Sequence, residues 1–272
     1  MWHVRACCRP TAWCRGSFAS TIAAGRLVHL GAAHATLWVL MTTQPAIIVT
    51  GSNRGLGLEM VKQLLTRGDR VVATTRDGSA NADLRALATA CGARLTVEAC
   101  DVSDPASIAA FAVRVRAVPL CGLINNAGVW GQSQHLEALD FVETQRMYQI
   151  NALAPLQLVI ALRPQLARQR AKVAHITSAM ASIAETSTGG QYGYRMSKAA
   201  LNMMNRTLAI DLAADGIYTA VIEPGWAKTD MGGPNAPTEV ADSVRGVLAQ
   251  YDAIGPATTG QFLSYRGGTM AW

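Results

Sequence analysis

A short apolar segment followed at once by a glycine-rich turn is the feature that most constrains how this chain can fold. Residues 46–50 read Ala-Ile-Ile-Val-Thr, an uncharged run that is typical of a strand buried on both faces of a sheet. The turn that follows consists of Gly51, Ser52, Asn53, Arg54, Gly55, Leu56 and Gly57. Its glycines permit close approach of the backbone to a phosphate at the N-terminus of the next helix. An ordinary strand-to-helix turn is the alternative.

Strand-like and helix-like segments alternate along the rest of the chain. Strands are predicted at 46–50, 70–75, 94–100, 120–125, 172–177, 217–222 and 260–264. Helices are predicted at 57–67, 82–91, 105–115, 138–168, 194–213 and 237–251. This alternation predicts an α/β fold with a doubly wound, mostly parallel, seven-stranded sheet of the Rossmann type. Pro155 and Pro164 are expected to bend or interrupt the long fourth helix.

Composition is consistent with one domain over 41–272, since half of the 272 residues are hydrophobic and only 15% are charged. The formal net charge of +6 is unevenly distributed, because 1–40 contains four arginines and no lysine or acid. The rest of the chain carries only +2. This argues against a nucleic-acid surface.

The segment 1–40 fits no part of the domain pattern. Three interpretations stay open: an upstream over-extension of the reading frame ending at Met41, a disordered or targeting leader, and a membrane anchor. The first is favoured, because Met41 lies just ahead of the first strand. The uncharged stretch 27–41 is also shorter than a membrane span. A cytoplasmic location is expected, with organelle targeting left open.

The six cysteines show neither a disulfide framework nor the spacing of a zinc site. Cys91, Cys100 and Cys121 fall in or beside predicted strands and helices, where cysteine is usually a small buried apolar residue. We therefore expect a reducing compartment and no metal.

A second cluster lies far downstream, where Tyr194 and Lys198 are four residues apart in a predicted helix and so share one face. A free tyrosine has a pKa of about 10, and a neighbouring ammonium is expected to lower it. Tyr192 is a competitor for the same role, but it has no lysine four residues on.

In a dinucleotide-binding fold of the Rossmann type, the residue at the end of the second strand indicates which dinucleotide is bound. An acid there would bind ribose hydroxyls and repel a 2′-phosphate, but this chain has Thr75 followed by Arg76. With Arg54 in the glycine turn, two guanidinium groups favour NADP(H), and NAD(H) is the alternative. Asp77 weakens the argument slightly, and both arginines could instead be solvated surface residues.

Several motifs occur in a fixed order, and together they resemble the short-chain dehydrogenase/reductase family over about 44–272. They are T-G-x-x-x-G-x-G at 50–57, Asp101-Val102, N-N-A-G at 125–128, Asn151, Ser178, Y-x-x-x-K at 194–198, and Pro224-Gly225 with Thr229. The runs 189–198 and 224–233 and the ending 260–272 are similar, within that family, to the C-factor and sniffer type of carbonyl reductase.

The resemblance implies a catalytic set of Asn151, Ser178, Tyr194 and Lys198. Ser178 would bind the substrate carbonyl oxygen, Tyr194 would donate the proton, and Lys198 would lower the tyrosine pKa and hold the nicotinamide ribose. Asn151 would shape the long helix and hold a water that relays protons to Lys198. The implied cofactor-binding residues are Gly51, Asn53, Arg54, Gly55, Leu56, Gly57, Arg76, Asp101, Val102, Asn125, Ala127, Gly128, Tyr194, Lys198, Pro224, Gly225 and Thr229. For Asp101, a plain helix cap is the alternative.

These observations predict an NADP(H)-dependent oxidoreductase that reduces a ketone or aldehyde reversibly. A non-enzymatic dinucleotide-binding signalling protein on the same fold is the rival. Small and apolar residues over 179–191 and 226–236 favour a small neutral carbonyl or alcohol substrate, and Trp226 is either a pocket wall or a core residue. Neither a nucleic-acid nor a membrane partner is expected. Association through the long helices and a monomeric state both stay open.

Overall fold

Seven strands form one sheet in the computed structural model, which describes residues 44–132 and 135–272. The strands are β1 Ala46–Val49, β2 Arg70–Thr75, β3 Leu95–Ala99, β4 Leu120–Asn125, β5 Lys172–Ile176, β6 Tyr218–Glu223 and β7 Phe262–Ser264. Their order across the sheet is β3-β2-β1-β4-β5-β6-β7, and every neighbouring pair is parallel. The predicted Rossmann-type sheet is therefore confirmed, and it is fully rather than mostly parallel.

Helices follow the strands in alternation. They are α1 Gly55–Thr66, α2 Ala82–Cys91, α3 Pro105–Arg114, α4 Phe141–Tyr148, α5 Ala154–Arg168, α6 Tyr192–Asp211 and α7 Val240–Asp252. The strand order reverses between β1 and β4, so the connections after these two strands diverge and leave a crevice at their carboxyl ends. Ligands of open parallel sheets bind in this crevice, and most of the motif residues follow strand ends that lie along it.

The sheet is buried on both faces, and its central strand β1 is apolar throughout. All four residues of β1 are buried, and they alternate between two cores. Ile47 and Val49 pack with α1, α2 and α7, whereas Ala46 and Ile48 pack with α3, α5 and α6. This two-sided burial is what the uncharged β-branched sequence predicts.

The long fourth helix is interrupted just before Pro155, as predicted, but not at Pro164. Instead of a single α-helix over 138–168, α4 and α5 are joined by a π-helical segment, Gln149–Leu153. Pro155 explains the position of this irregularity, because it has no N–H to donate to the carbonyl four residues earlier. Pro164, by contrast, lies within α5 without interrupting it.

The N-terminal segment 1–40 and the three interpretations given for it lie outside the described residues. Among the described cysteines, Cys91, Cys100 and Cys121 are all free thiols. Burial raises the pKa of the Cys100 thiol to about 12, so it behaves as a small apolar residue.

A histidine is buried in the sheet next to the crevice. His175, on β5, lies 3.1 Å from the Asn125 amide nitrogen through its Nδ1 atom. Its Nε2 atom is buried without a hydrogen-bond partner. Burial, assisted by the charge of Lys198, lowers the pKa of His175 to about 3. The imidazole is therefore neutral in the folded protein across the physiological pH range.

This histidine makes stability depend on pH. Below pH about 6.5, the ordinary pKa of histidine, His175 binds a proton in the unfolded chain but stays neutral in the folded protein. The free energy of unfolding should therefore fall as pH is lowered from about 6.5 towards 4, by up to about 1.4 kcal/mol per pH unit from this residue. Urea unfolding across this range should show a shallower fall for His175→Asn than for the wild type. The exposed histidine variant His135→Gln is the control, and equal slopes for His175→Asn and the wild type would contradict the assignment.

Candidate active site

The catalytic residues implied by the sequence meet at the carboxyl edge of the sheet. Ser178 follows the end of β5, and Tyr194 and Lys198 lie on the first two turns of α6. Asn151 reaches the same place from the π-helical segment, since its side chain donates to Ser197 on α6 at 3.0 Å. The structure thus brings the four residues together.

Lys198 is a buried cation held by the sheet. Its Nζ donates to the backbone oxygen of Ile176, the last residue of β5, at 2.8 Å. Burial lowers the pKa of Lys198 to about 8, so the ammonium form still predominates at neutral pH. A Cβ atom added to Gly128 would lie 3.6 Å from this Nζ, which places the segment after β4 beside the lysine.

Tyr194 corrects one expectation from the sequence. Burial raises the pKa of Tyr194 to about 12; its hydrogen bond with Ser178 acts in the opposite direction, and the charge of Glu223 adds to the rise. Burial outweighs the expected lowering by Lys198, whose ammonium donates to the Ile176 oxygen at 2.8 Å and lies 5.9 Å from the centre of the tyrosine ring. Tyr194 is therefore a neutral phenol in the free protein, which is the form that donates a proton.

Ser178 is fixed from two sides. Its Oγ accepts a hydrogen bond from the Met180 N–H at 3.1 Å and so caps the short 3₁₀ turn Ala179–Ala181. Its hydroxyl also hydrogen-bonds Tyr194. The two hydroxyl groups therefore lie side by side and could reach the same substrate atom.

Asn151 links the segment after β4 to α6. Its Oδ1 accepts from the Val129 N–H at 2.9 Å, and its Nδ2 donates to the Val129 oxygen at 3.0 Å. The predicted shaping role is consistent with its place inside the π-helical segment. The water relay to Lys198 stays a prediction.

The glycine turn is packed tightly against the segment after β4. A Cβ atom on Gly57 would overlap the Gly51 carbonyl oxygen and lie 2.6 Å from the Asn126 amide nitrogen. Gly51 has a φ of +67°, which favours glycine. No side chain caps α1, so the N–H groups at its start are available to an anion.

Two supporting residues of this turn were missed as individual site residues. Thr50 Oγ1 accepts hydrogen bonds from the N–H groups of Asn126 and Ala127, each at 3.0 Å. Asn126 Nδ2 donates to the Thr50 oxygen at 2.9 Å. Both residues belong to the motifs already quoted, and a polar side chain directly after a buried strand was the signal that could have identified them.

The predicted phosphate-selecting residues differ in their surroundings. Arg54 forms an ion pair with Asp230 at 3.0 Å, with both side chains more than 70% exposed. Arg76 is exposed directly after β2, next to the buried and unpartnered hydroxyl of Thr75. Asn53 supports the turn, since its Oδ1 accepts from the N–H of Asn81, the N-cap of α2, at 2.8 Å.

Asp101 is not a helix cap, which removes the alternative given for it. Asp104 caps α3, and Asp101 instead accepts from the N–H and hydroxyl of Ser103 at 2.9 and 2.7 Å. Burial acts to raise the pKa of Asp101, but the bonds from Ser103 outweigh it and the pKa is lowered. Val102, its neighbour, packs at the edge of the second core.

The loop after β6 closes the other end of the crevice. A Cβ atom on Gly55 would lie 3.4 Å from Thr229 Cγ2, so this loop touches the glycine turn. Gly225, directly after Pro224, donates its N–H to Glu223 Oε1 at 2.6 Å. Glu223 is a buried acid whose charge acts on Tyr194, and the sequence analysis did not identify it. An acid at the end of an otherwise apolar strand was its signal.

This arrangement matches a known family. The family model for the short chain dehydrogenase matches residues 45–240. The chain belongs to the short chain dehydrogenase family.

Individual relatives agree with this assignment. C-signal of Myxococcus xanthus is 47% identical over 165 residues, which cover 60% of this chain and 99% of that protein. The NADPH-bound carbonyl reductase from chicken fatty liver has a TM-score of 0.78 and 33% identity, covering 85% of this chain and all of that one. The carbonyl reductase Sniffer of Drosophila melanogaster has a TM-score of 0.80 and 30% identity, with the same coverage.

The residues of this short chain dehydrogenase fit a nicotinamide dinucleotide. The uncapped start of α1 and the close backbone approach at Gly57 suit a pyrophosphate. The unpartnered Thr75 hydroxyl at the end of β2 suits a ribose. Within 44–132 and 135–272, no three His, Cys, Asp or Glu side chains are grouped as metal ligands, and no helix has the length and apolarity needed to span a bilayer.

Proposed function

We propose that this short chain dehydrogenase is an NADP(H)-dependent carbonyl reductase that interconverts a ketone or aldehyde and its alcohol. The observation that carries the proposal is the hydrogen-bonded pair of hydroxyls on buried Tyr194 and half-buried Ser178, beside the buried ammonium of Lys198. These groups lie at the same sheet edge as the glycine turn. The proton donor, the hydrogen-bond donor to the carbonyl oxygen and the cofactor site are thus adjacent.

The chemistry follows from the protonation states of these groups. A nicotinamide dinucleotide held at the glycine turn would supply a hydride to the carbonyl carbon. Ser178 and Tyr194 donate hydrogen bonds to the carbonyl oxygen, where negative charge develops. Tyr194 then transfers its proton to that oxygen, giving the alcohol, and the Lys198 ammonium stabilises the phenolate that remains. The reverse reaction runs through the same groups, with the phenolate as base.

The rival function is dinucleotide-dependent signalling without catalysis, and the similarity to C-signal is the observation that favours it. Burial of the Lys198 ammonium and of the Tyr194 phenol favours the enzyme. Burying such groups opposes stability, and a protein that only binds a dinucleotide has no need of a proton donor. Enzymatic turnover separates the two functions.

The charges around the adenosine end support NADP(H) over NAD(H). β2 ends in Thr75 and Arg76 rather than in an acid, so a 2′-phosphate meets a guanidinium there. Arg54 adds a second exposed guanidinium at the start of α1. We place the reaction in the cytoplasm, consistent with the free state of the three described cysteines.

Removal of the Tyr194 hydroxyl should abolish most turnover. Tyr194→Phe should lower kcat for carbonyl reduction by about 10²-fold or more, since a positioned proton donor typically contributes 10²–10⁴-fold. NADPH binding, measured by fluorescence titration, should change little. Tyr192→Phe is the matched control and should retain near wild-type turnover. Unchanged turnover in Tyr194→Phe would refute the mechanism.

Arg76→Ala should weaken the use of NADPH selectively. Loss of a charge-assisted hydrogen bond to the 2′-phosphate should raise the KM for NADPH about tenfold or more while leaving the KM for NADH nearly unchanged. Steady-state kinetics with both cofactors test this. Arg245→Ala, at an exposed arginine paired with Asp242 on α7, is the control. A wild-type preference for NADH would overturn the assignment.

Glu223→Gln should shift the pH dependence of reduction. Burial is the main reason that the pKa of Tyr194 is raised, and the charge of Glu223 adds to it, so removing that charge lowers the tyrosine pKa. Reduction needs the protonated phenol, so the alkaline limb of the kcat/KM profile that the phenol sets, above the one set by the Lys198 ammonium, should move to lower pH. Glutamine can still accept the Gly225 hydrogen bond. Asp242→Asn, at an exposed acid on α7, is the control; an alkaline limb that stays in place or moves upward in Glu223→Gln would refute the coupling.

A further inference from the structure

Trp130 lies next to the proposed catalytic tyrosine and takes no part in the proton transfer. The ring centres of Trp130 and Tyr194 are 4.5 Å apart, with 48° between the ring planes, which is a favourable aromatic contact. Tyr194 is only 8% exposed, whereas Trp130 is 41% exposed. The indole therefore covers the ring of the tyrosine and still presents part of its own surface to the outside.

The backbone on both sides of Trp130 is firmly held. Val129 forms two hydrogen bonds with the Asn151 amide, at 2.9 and 3.0 Å. On the other side, the Gln132 N–H donates to Glu143 Oε2 at 3.0 Å. Between them, a Cβ atom on Gly131 would lie 2.7 Å from Met147 Cε. These contacts fix the backbone from which the Trp130 side chain extends, so the fold determines the position of the indole against Tyr194.

Other large apolar side chains are exposed on the loops that follow β5 and β6. Ile183, Trp226 and Met231 are each at least half exposed, and these loops leave the same sheet edge as the segment that carries Trp130. Small-molecule sites are lined mainly by apolar and aromatic side chains. This apolar surface suits an uncharged substrate that extends away from the reacting carbonyl.

We propose that Trp130 is a specificity-determining residue, and that it selects carbonyl compounds with a flat aromatic group attached next to the reacting carbonyl. This inference rests on the proposed function and extends it to a substrate class. A carbonyl whose oxygen meets the Tyr194 hydroxyl carries its substituent within reach of the exposed indole. An aromatic substituent gains a ring contact there that an alkyl substituent of the same carbonyl lacks.

The test compares two α-diketones that differ in one substituent, 1-phenyl-1,2-propanedione and 2,3-butanedione, with NADPH as reductant. In Trp130→Ala, kcat/KM for the phenyl compound should fall about fivefold more than kcat/KM for butanedione, as loss of an aromatic contact implies. Trp130→Phe should retain most of the preference. Trp130→Leu, which is apolar but not aromatic, should lose it. Melting temperature and NADPH affinity of each variant report on folding.

Three results would overturn the inference. Equal losses for both diketones in Trp130→Ala would assign Trp130 to holding Tyr194 and not to selecting substrate. A preference retained in Trp130→Leu would show an apolar wall without aromatic selection. A wild type that binds NADPH but reduces no carbonyl would remove the proposed function and this inference together, whereas the first two results leave the reductase intact.

Discussion

The site depends on a buried ammonium that is bound by the end of a strand. Lys198 Nζ donates to the Ile176 oxygen at 2.8 Å, and this bond ties α6 to the carboxyl end of β5. A buried charge is costly unless it is well bonded, and the lowering of the Lys198 pKa to about 8 reflects that cost. Because Tyr194 lies one turn earlier on the same helix face, the bond that seats the lysine also sets the phenol beside Ser178.

The surroundings make this arrangement rigid. Asn151 joins the segment after β4 to α6 from within the π-helical segment that precedes Pro155. Thr50 and Asn126 join the same segment to the glycine turn. The glycine turn, the segment after β4 and helix α6 are thus linked by hydrogen bonds of Thr50, Asn126 and Asn151. Groups fixed in this way need little reorganisation when charge develops on a substrate.

Much of this could be predicted from the sequence because it depends on local patterns. Apolar strands alternating with helices fix a parallel sheet, and a four-residue spacing on a helix fixes a shared face for Tyr194 and Lys198. Properties that depend on distant neighbours were not predictable. The raised pKa of Tyr194 comes from burial by several segments, and the contact of Trp130 with its ring joins residues 64 positions apart. Glu223 was missed for the same reason, since only the fold brings its charge close to the phenol.

The most direct test of the central claim measures which hydrogen of the nicotinamide C4 is transferred to the substrate. NADPH carrying deuterium at one or the other face of the nicotinamide C4 can be incubated with a carbonyl compound, and the alcohol analysed by mass spectrometry. A fixed site predicts that one labelled face transfers its deuterium to the carbinol carbon and that the other transfers none. Transfer from neither face, with NADPH bound, would contradict the account.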